Sequence, residues 1–282
     1  MSNLLQLESV NKEFEQFKLQ NITFTLPAGT IMGLIGENGA GKTTIMKLIL
    51  GLQQKDSGQI KILGYAPEEL PLSEKAKIGL VLDEFPYPET FNCREVGMIM
   101  SKIYQNWDNK VFENFCTRFD LSDKKVLKTY SKGMKMKLQL AVALSHQAKL
   151  LILDEATSGL DPVAREEILD LLLEFIQDEQ CSVLMSSHII SDLEKVCDYI
   201  TYIHQGKIVF SEEKDLLREE YGIVRGNKNM TAELPAEAVV GVRQHQFGEE
   251  ALVWRAKLPQ GFSVEPASIE DVMIYYNRRK EG

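Results

Sequence analysis

Nine consecutive residues, Gly36-Glu37-Asn38-Gly39-Ala40-Gly41-Lys42-Thr43-Thr44, fit the pattern G-x-x-x-x-G-K-[ST]. That spacing suits a polyphosphate. Glycines at 36, 39 and 41 let the backbone turn tightly and bring successive N–H groups onto one concave surface. Lys42 supplies a charged donor for terminal phosphates and Thr43 a hydroxyl suited to Mg²⁺, while a helix starting here aims the positive end of its dipole at the anion. Two carboxylates, Asp154 and Glu155, close the apolar run that begins at Lys149. Asp154 can hold Mg²⁺ opposite Thr43. Glu155 can orient and deprotonate an attacking water, a role worth roughly 10²–10⁴ in rate.

These groups need elements to aim them. Residues 31–35 read as a buried strand entering the glycine-rich loop and residues 44–50 as the helix leaving it. Residues 4–10 and 19–26 alternate apolar and polar and read as half-buried strands, with another strand at 59–64 after the turn Asp56-Ser57-Gly58. Short apolar strands are expected at 77–83, ending in Asp83, at 149–155, and at 181–188, ending in His188. Ligands bind at the carboxyl ends of strands in open parallel sheets, so all three endings point towards the glycine-rich loop. Phe14, just ahead of this region, is placed to stack on an adenine ring, or to serve as a strand-end core aromatic.

Between these strands the pattern changes. Pro86 and Pro88 break the chain, and residues 93–147 carry helical periodicity, which predicts a helical insertion over about 86–147. Within it, Ser131 stands at the start of a strong helix former, where its hydroxyl can cap the helix and, with the Gly133 N–H, face an anion. A further helix is expected over 163–178. Beyond residue 222 a small α+β appendage is predicted: strands at 238–246 and 250–258 with a turn near Phe247-Gly248, then a capped helix opening at Ser268-Ile269-Glu270-Asp271.

The chain has 282 residues, with 32 Lys plus Arg against 41 Asp plus Glu, a net charge of −9. Phosphate neutralisation needs a concentrated basic face, so this acidity argues against a nucleic-acid partner. The four cysteines form no C-x-x-C pair and read as reduced, mostly buried thiols. No apolar stretch approaches the roughly 18 residues of a membrane span, and the first residues lack a signal peptide's charge and apolar block, so a cytoplasmic chain is expected.

The ordered set of motifs resembles the ATP-binding cassette (ABC) ATPases. Tyr130-Ser131-Lys132-Gly133-Met134 stands where that family has L-S-G-G-Q; Ser131 and Gly133 match, and the Ser-Lys-Gly-Met variant looks like that of bacterial export cassettes. Ser158-Gly159-Leu160-Asp161 resembles the D-loop and His188 the switch histidine. The resemblance covers residues 1 to about 220. It implies an α/β fold, a P-loop nucleotide-binding domain over 1–221 with a mixed sheet core, an antiparallel β subdomain and a helical subdomain, followed by the appendage 222–282. It implies an ATPase using ATP and Mg²⁺ in a composite site. Gly36, Glu37, Asn38, Gly39, Ala40, Gly41, Lys42, Thr43, Thr44 and Phe14 of one subunit would hold the nucleotide, and Asp154 the metal. Glu155 as the base, His188 as a contact to the γ-phosphate and Lys42 at the terminal phosphates would act on it, against Ser131, Gly133 and Asp161 at the interface. Asp83 stands where the family has the Mg²⁺-sensing glutamine and is expected as a further metal ligand.

The implied partners are a second ABC subunit, identical or not, and separate transmembrane permease subunits docked at Asp83–Glu95, on the inner face of the cell membrane. Cargo of peptides, antibiotics or similar amphiphiles is implied by likeness over 86–135. The alternative is a soluble ABC ATPase coupled to nucleic acid or the ribosome. A GTPase or small-molecule kinase would share the loop, but the base-reading Asn-Lys-x-Asp motif does not occur.

Overall fold

A computed structural model describes residues 3–246 and 248–277. Strand β1 (Asn3–Glu13) pairs antiparallel with β2 (Lys18–Pro27) on one side. On the other it pairs, also antiparallel, with β4 (Ser57–Ile62). The strand expected to reach residue 64 stops at Ile62, because Leu63 and Gly64 both take positive φ and turn the chain. Strand β3 (Ile31–Ile35) lies inside a second sheet of six strands. Its order is β5 (Ile78–Val81), β6 (Leu150–Leu153), β7 (Ser182–Ser187), β3, β8 (Tyr199–His204), β9 (Lys207–Glu213). All neighbours run parallel except β8 and β9.

The parallel strands are short and apolar because both faces are covered. All four leucine and isoleucine side chains of β6 are fully buried, each contributing about 1.5–3 kcal/mol relative to exposure. The order places β7 beside β3 and β6 beside β7, so the ends of three sequence-distant strands meet at one edge.

Helix α1 (Lys42–Ile49) follows β3, and one turn, α2 (Leu72–Lys75), precedes β5. The insertion comprises α3 (Cys93–Ile103), α4 (Asn109–Arg118) and α5 (Lys132–Leu144). Local sequence fixes each start. Asn92 and Glu95 form a reciprocal capping box on α3, Asp108 accepts from two N–H groups of α4, and the Ser131 hydroxyl accepts from Met134 N–H on α5.

One face of α5 grips the loop that leaves β5. Lys132, Lys135 and Gln139, three and four residues apart, project on the same side. Lys132 Nζ lies 2.7 Å from Asp83 Oδ1 and Lys135 Nζ 3.0 Å from Glu89 Oε1. Gln139 accepts from Leu82 N–H at 2.9 Å and donates to Leu82 C=O at 3.0 Å. The ion pairs are solvent-exposed and contribute at most about 1 kcal/mol each. Gln139 is 2% exposed, and it dominates the anchoring because an abandoned buried polar group costs about 1–3 kcal/mol.

Helix α6 (Pro162–Phe175) joins β6 to β7, and α7 (Ile190–Val196) follows β7. Helix α8 (Lys214–Glu220) leads into a third, antiparallel sheet in the order β11 (Val239–Gln244), β12 (Glu249–Trp254), β10 (Tyr221–Gly226), β13 (Glu265–Pro266). A single turn, α9 (Met230–Glu233), follows β10, and α10 (Ile269–Asn277) comes last. The strand expected over 250–258 ends at Trp254, where residues 255–257 form a 3₁₀ turn. Phe247, in the expected turn, lies outside the described residues. Ser268 and Asp271 cap α10 reciprocally, as the sequence predicts. Strands β10 and β13 carry no sequence expectation: the run Tyr221–Gly226 contains two glycines and an arginine, and its strand character comes from pairing with β12.

The appendage shares the core of the rest. Tyr221, Ile223, Leu252, Ile269, Val272 and Tyr275 belong to the same buried cluster as β6, β7 and α5. A smaller cluster around Val224, Ala251 and Val253 covers the opposite sheet face.

Replacing Gln139 by Leu strands the Leu82 amide and carbonyl without a partner. The expected result is a loss of about 1–3 kcal/mol in denaturant unfolding; a midpoint equal to wild type would remove Gln139 from this anchoring role.

Candidate active site

The glycine-rich loop runs from the end of β3 into α1. A Cβ on Gly36 would stand 2.4 Å from the carbonyl oxygen of Ile203 in β8, so the loop can lie against the sheet only with glycine there. Gly41 takes φ 117 and caps α1 with no side-chain acceptor. The first N–H groups of the helix are thus left for a ligand, the arrangement that favours an anion. Glu37, Asn38 and Gly39 form the exposed crest, whereas Ala40 is buried.

Lys42 is only 6% exposed. Its ammonium donates to Gly36 C=O at 2.7 Å and Glu37 C=O at 3.3 Å, and stands 3.5 Å from Glu155 Oε1. Thr43 Oγ1 donates to Asp154 Oδ2 at 3.0 Å. Asp154, at the end of β6, receives a second bond on Oδ1 from Ser186 Oγ at 2.7 Å. Ser186 in turn accepts the Glu155 N–H at 3.0 Å, so one buried hydroxyl of β7 orients both acids. Glu155 itself has φ 52, a left-handed conformation that a non-glycine residue adopts at some cost and that turns its side chain away from that of Asp154. His188 Nδ1 lies 2.6 Å from Glu155 Oε2. Lys42, Thr43, Asp154, Glu155, Ser186 and His188 therefore form one connected polar network, drawn from β3–α1, β6 and β7.

Thr43 and Asp154 offer two hard oxygen donors in direct contact, the donor chemistry Mg²⁺ requires. Asp83 is engaged elsewhere: its carboxylate is ion-paired with Lys132, and a metal-binding role would require that pair to open. Phe14 is 36% exposed and lines, together with Phe17, Gly39 and Gln205, a depression of about 520 Å³ beside the loop. Its ring stacks against Phe17 at 6.4 Å and carries Lys12 Nζ 5.6 Å from its centroid.

Ser131, Gly133 and Asp161 have no bond to the central network among the described residues. Ser131 is exposed at the head of α5. Gly133 is buried, and a Cβ there would stand 3.3 Å from Ala164 Cβ, so it sets how closely α5 approaches α6. Asp161 caps α6, accepting from Val163 and Ala164 N–H, and the Ala164 bond chiefly holds its carboxyl below the ordinary carboxylate range. Ser186 and Gln139 carry no expectation from the sequence. Serine inside a buried strand is the one signal that marked Ser186, since a buried hydroxyl needs a partner.

A glycine-rich anion loop, a threonine–aspartate pair and a glutamate held by histidine at one edge of a parallel sheet define a P-loop nucleoside-triphosphatase. Residues 19–158 match the family described as ABC transporter. The chain is 33% identical over 215 residues to the lantibiotic transport ATP-binding protein SrtF of Streptococcus pyogenes, covering 75% of this chain and 92% of that one. It is 31% identical over 252 residues to the bacitracin transport ATP-binding protein BcrA of Bacillus licheniformis, covering 87% and 80%. Similarity to the ABC transporter ATP-binding protein YhcH of Bacillus subtilis, 31% over 288 residues, spans 98% of this chain and 91% of that one, so it includes the appendage. Among solved structures, an ATP-binding subunit of an ABC transporter superposes with a TM-score of 0.67 at 27% identity, covering 77% of this chain and 92% of that one. The chain belongs to the ATP-binding proteins of the ABC transporter family, and it is an ATPase.

Replacing Ser186 by Ala leaves Asp154 Oδ1 and the Glu155 N–H each short of a partner. Unfolding free energy should fall by about 1–3 kcal/mol, and kcat for ATP should fall more than nucleotide affinity. Unchanged stability together with unchanged kcat would show that the hydroxyl orients neither acid.

Proposed function

We propose that this ATPase works in pairs, each ATP being enclosed between the Lys42–Asp154–Glu155 network of one subunit and Ser131 and Gly133 of another, to drive export through separate membrane subunits. The observation that carries the reading is a division within the chain. The phosphate loop, both acids and His188 are bonded together, while the head of α5 stands exposed and unattached to them. A γ-phosphate held between two helix N-termini would draw such surfaces together, and its loss on hydrolysis would release them.

In this arrangement Thr43 and Asp154 hold Mg²⁺, which neutralises phosphate charge when bound. Glu155 takes the proton of the attacking water and His188 holds Glu155 in place. Phe14 stacks on adenine, and residues 36–44 cradle the phosphates. Asp161 lies at the subunit interface. The loop from Asp83 to Glu95 docks the membrane subunits and transmits to α5 through Gln139 and Lys132. Among the described residues no helix is long and apolar enough to cross a membrane, which fits a peripheral subunit on the inner membrane face. The cargo is a peptide, antibiotic or similar amphiphile, a reading supported by the names of SrtF and BcrA.

Three measurements test this reading. Glu155→Gln should lose turnover yet accumulate an ATP-bound dimer in gel filtration; undiminished hydrolysis would exclude Glu155 as the base. Lys42→Ala and Ser131→Ala subunits, each inactive alone, should recover activity on mixing, because one of the two sites in a mixed dimer is intact. Mixed dimers with no activity would count against the composite site. Purification from membranes should bring an integral membrane protein; ribosomes or DNA in its place would overturn the transport assignment.

A further inference from the structure

A cavity of about 730 Å³ opens between α3 and α4, with none of the phosphate-network residues in its lining, and both Cys93 and Cys116 line it. Their meeting follows from helix geometry. The two helices are joined by the short connection 104–108, and Gly97 lies so close to Phe112 that a Cβ would stand 2.5 Å from the ring. One turn back from Gly97 on α3 is Cys93, and one turn on from Phe112 along α4 is Cys116.

The pair is chemically asymmetric. Cys93 is the first residue of α3 and 3% exposed to solvent, and its thiol donates to Leu121 C=O at 3.3 Å. Cys116 is partly exposed. The neighbouring Cys116 thiol, opposed by burial and helped by the Tyr130 hydroxyl, draws the Cys93 thiol below its ordinary value, while Cys93 and burial together push Cys116 above its own. The remaining two cysteines are unlike this pair. Cys181 and Cys197 are both buried, and burial pushes both thiols up.

The surroundings tie the pair to the head of α5. Leu121 C=O, which Cys93 binds, is adjacent in sequence to Ser122 C=O, which accepts from the Tyr130 hydroxyl at 3.0 Å. Tyr130 is 5% exposed and immediately precedes Ser131. Among the described residues no group of three or more histidine, cysteine or acidic side chains could hold a metal ion, so thiol chemistry, not coordination, is what the cavity offers.

We propose that Cys93 and Cys116 form a modification site at which hydroperoxides make a disulfide, and that this bond slows ATP turnover by displacing Tyr130 and hence Ser131. The Cys93 thiolate attacks one oxygen of the hydroperoxide. An S–O bond forms, the O–O bond breaks, and the departing oxygen takes a proton to leave as an alcohol, or as water from hydrogen peroxide. Cys116 then gives up its proton and attacks the Cys93 sulfur. The S–S bond forms, the S–O bond breaks and hydroxide leaves as water. Two thiols and one peroxide thus give one disulfide, one alcohol and one water. Forming the bond takes the Cys93 sulfur off Leu121 C=O, which loosens the 121–122 segment that holds Tyr130. The slowing of turnover rests on the role proposed for Ser131; the disulfide itself does not.

The test treats the full chain with hydrogen peroxide, blocks free thiols with N-ethylmaleimide in denaturant, and digests with trypsin without reduction. Cys93 falls in the peptide 78–94 and Cys116 in 111–118. The expected product links these two, with Cys181 and Cys197 alkylated, and reverts with dithiothreitol. Cys116→Ser should give no link. ATP turnover should fall several-fold on oxidation of the wild type, recover on reduction, and stay unchanged by oxidation in Cys116→Ser. Free thiols at 93 and 116 after peroxide treatment, or linkage to another cysteine, would overturn the whole proposal. A fully linked protein with unaltered turnover would overturn its regulatory half.

Discussion

The carboxylate of Asp154 is the point on which the site depends. It ends a strand whose side chains are fully buried, and it is itself only 9% exposed. A buried charge needs partners, and Asp154 finds them in Thr43 on α1 and Ser186 on β7. Those two bonds tie the phosphate helix and two neighbouring strands together at one edge. Ser186 extends the tie to Glu155, and Glu155 extends it to Lys42 and His188. Asp154 and Glu155 are adjacent in sequence and share one hydroxyl, but the positive φ of Glu155 separates their directions.

Helix α5 serves two masters. Its first turn presents Ser131 and seats Gly133 against α6, while Lys132, Lys135 and Gln139 fasten it to the loop after β5. The bonds differ in kind. Gln139 is buried and holds main chain, so it sets position, whereas the lysine pairs lie in water and can exchange at little cost. A loop anchored firmly at Leu82 and loosely at Asp83 and Glu89 has a fixed root and an adaptable tip. Asp83 and Lys132 each supply the other's counter-charge at 2.7 Å.

The appendage is built into the ATPase core. Helix α7 begins two residues beyond His188, and α10 packs on it: Ile269 N–H meets Glu194 Oε1 at 3.3 Å, and Ile269 and Val272 join the main buried cluster. The segment that follows the histidine is thus held between the parallel sheet and the final helix. This packing makes α10 part of the core that supports the helix following His188.

Much of this was legible in the sequence because it is local. The glycine-rich loop, the apolar runs ending in Asp154-Glu155 and His188, and the capped starts of α5 and α10 each depend on residues within a turn or a strand of one another, where spacing alone specifies backbone direction. The ends of elements were less legible: the strand expected to 64 stops at 62, and the one expected to 258 stops at 254, because positive φ and a 3₁₀ turn are decided by neighbours. Strand β10, with two glycines and an arginine, becomes a strand only when β12 is beside it. Ser186 and Gln139 have partners 32 and 57 residues away, and no local pattern announces such bonds. The sequence by itself determined that this chain carries the phosphate loop of an ABC ATPase and that two acids and a histidine end its apolar strands. Only the tertiary structure decided that Ser186 aligns the acids, that Lys132 answers Asp83, and that Cys93 faces Cys116. Strand order and helix packing bring those side chains together, and they are properties of the whole core.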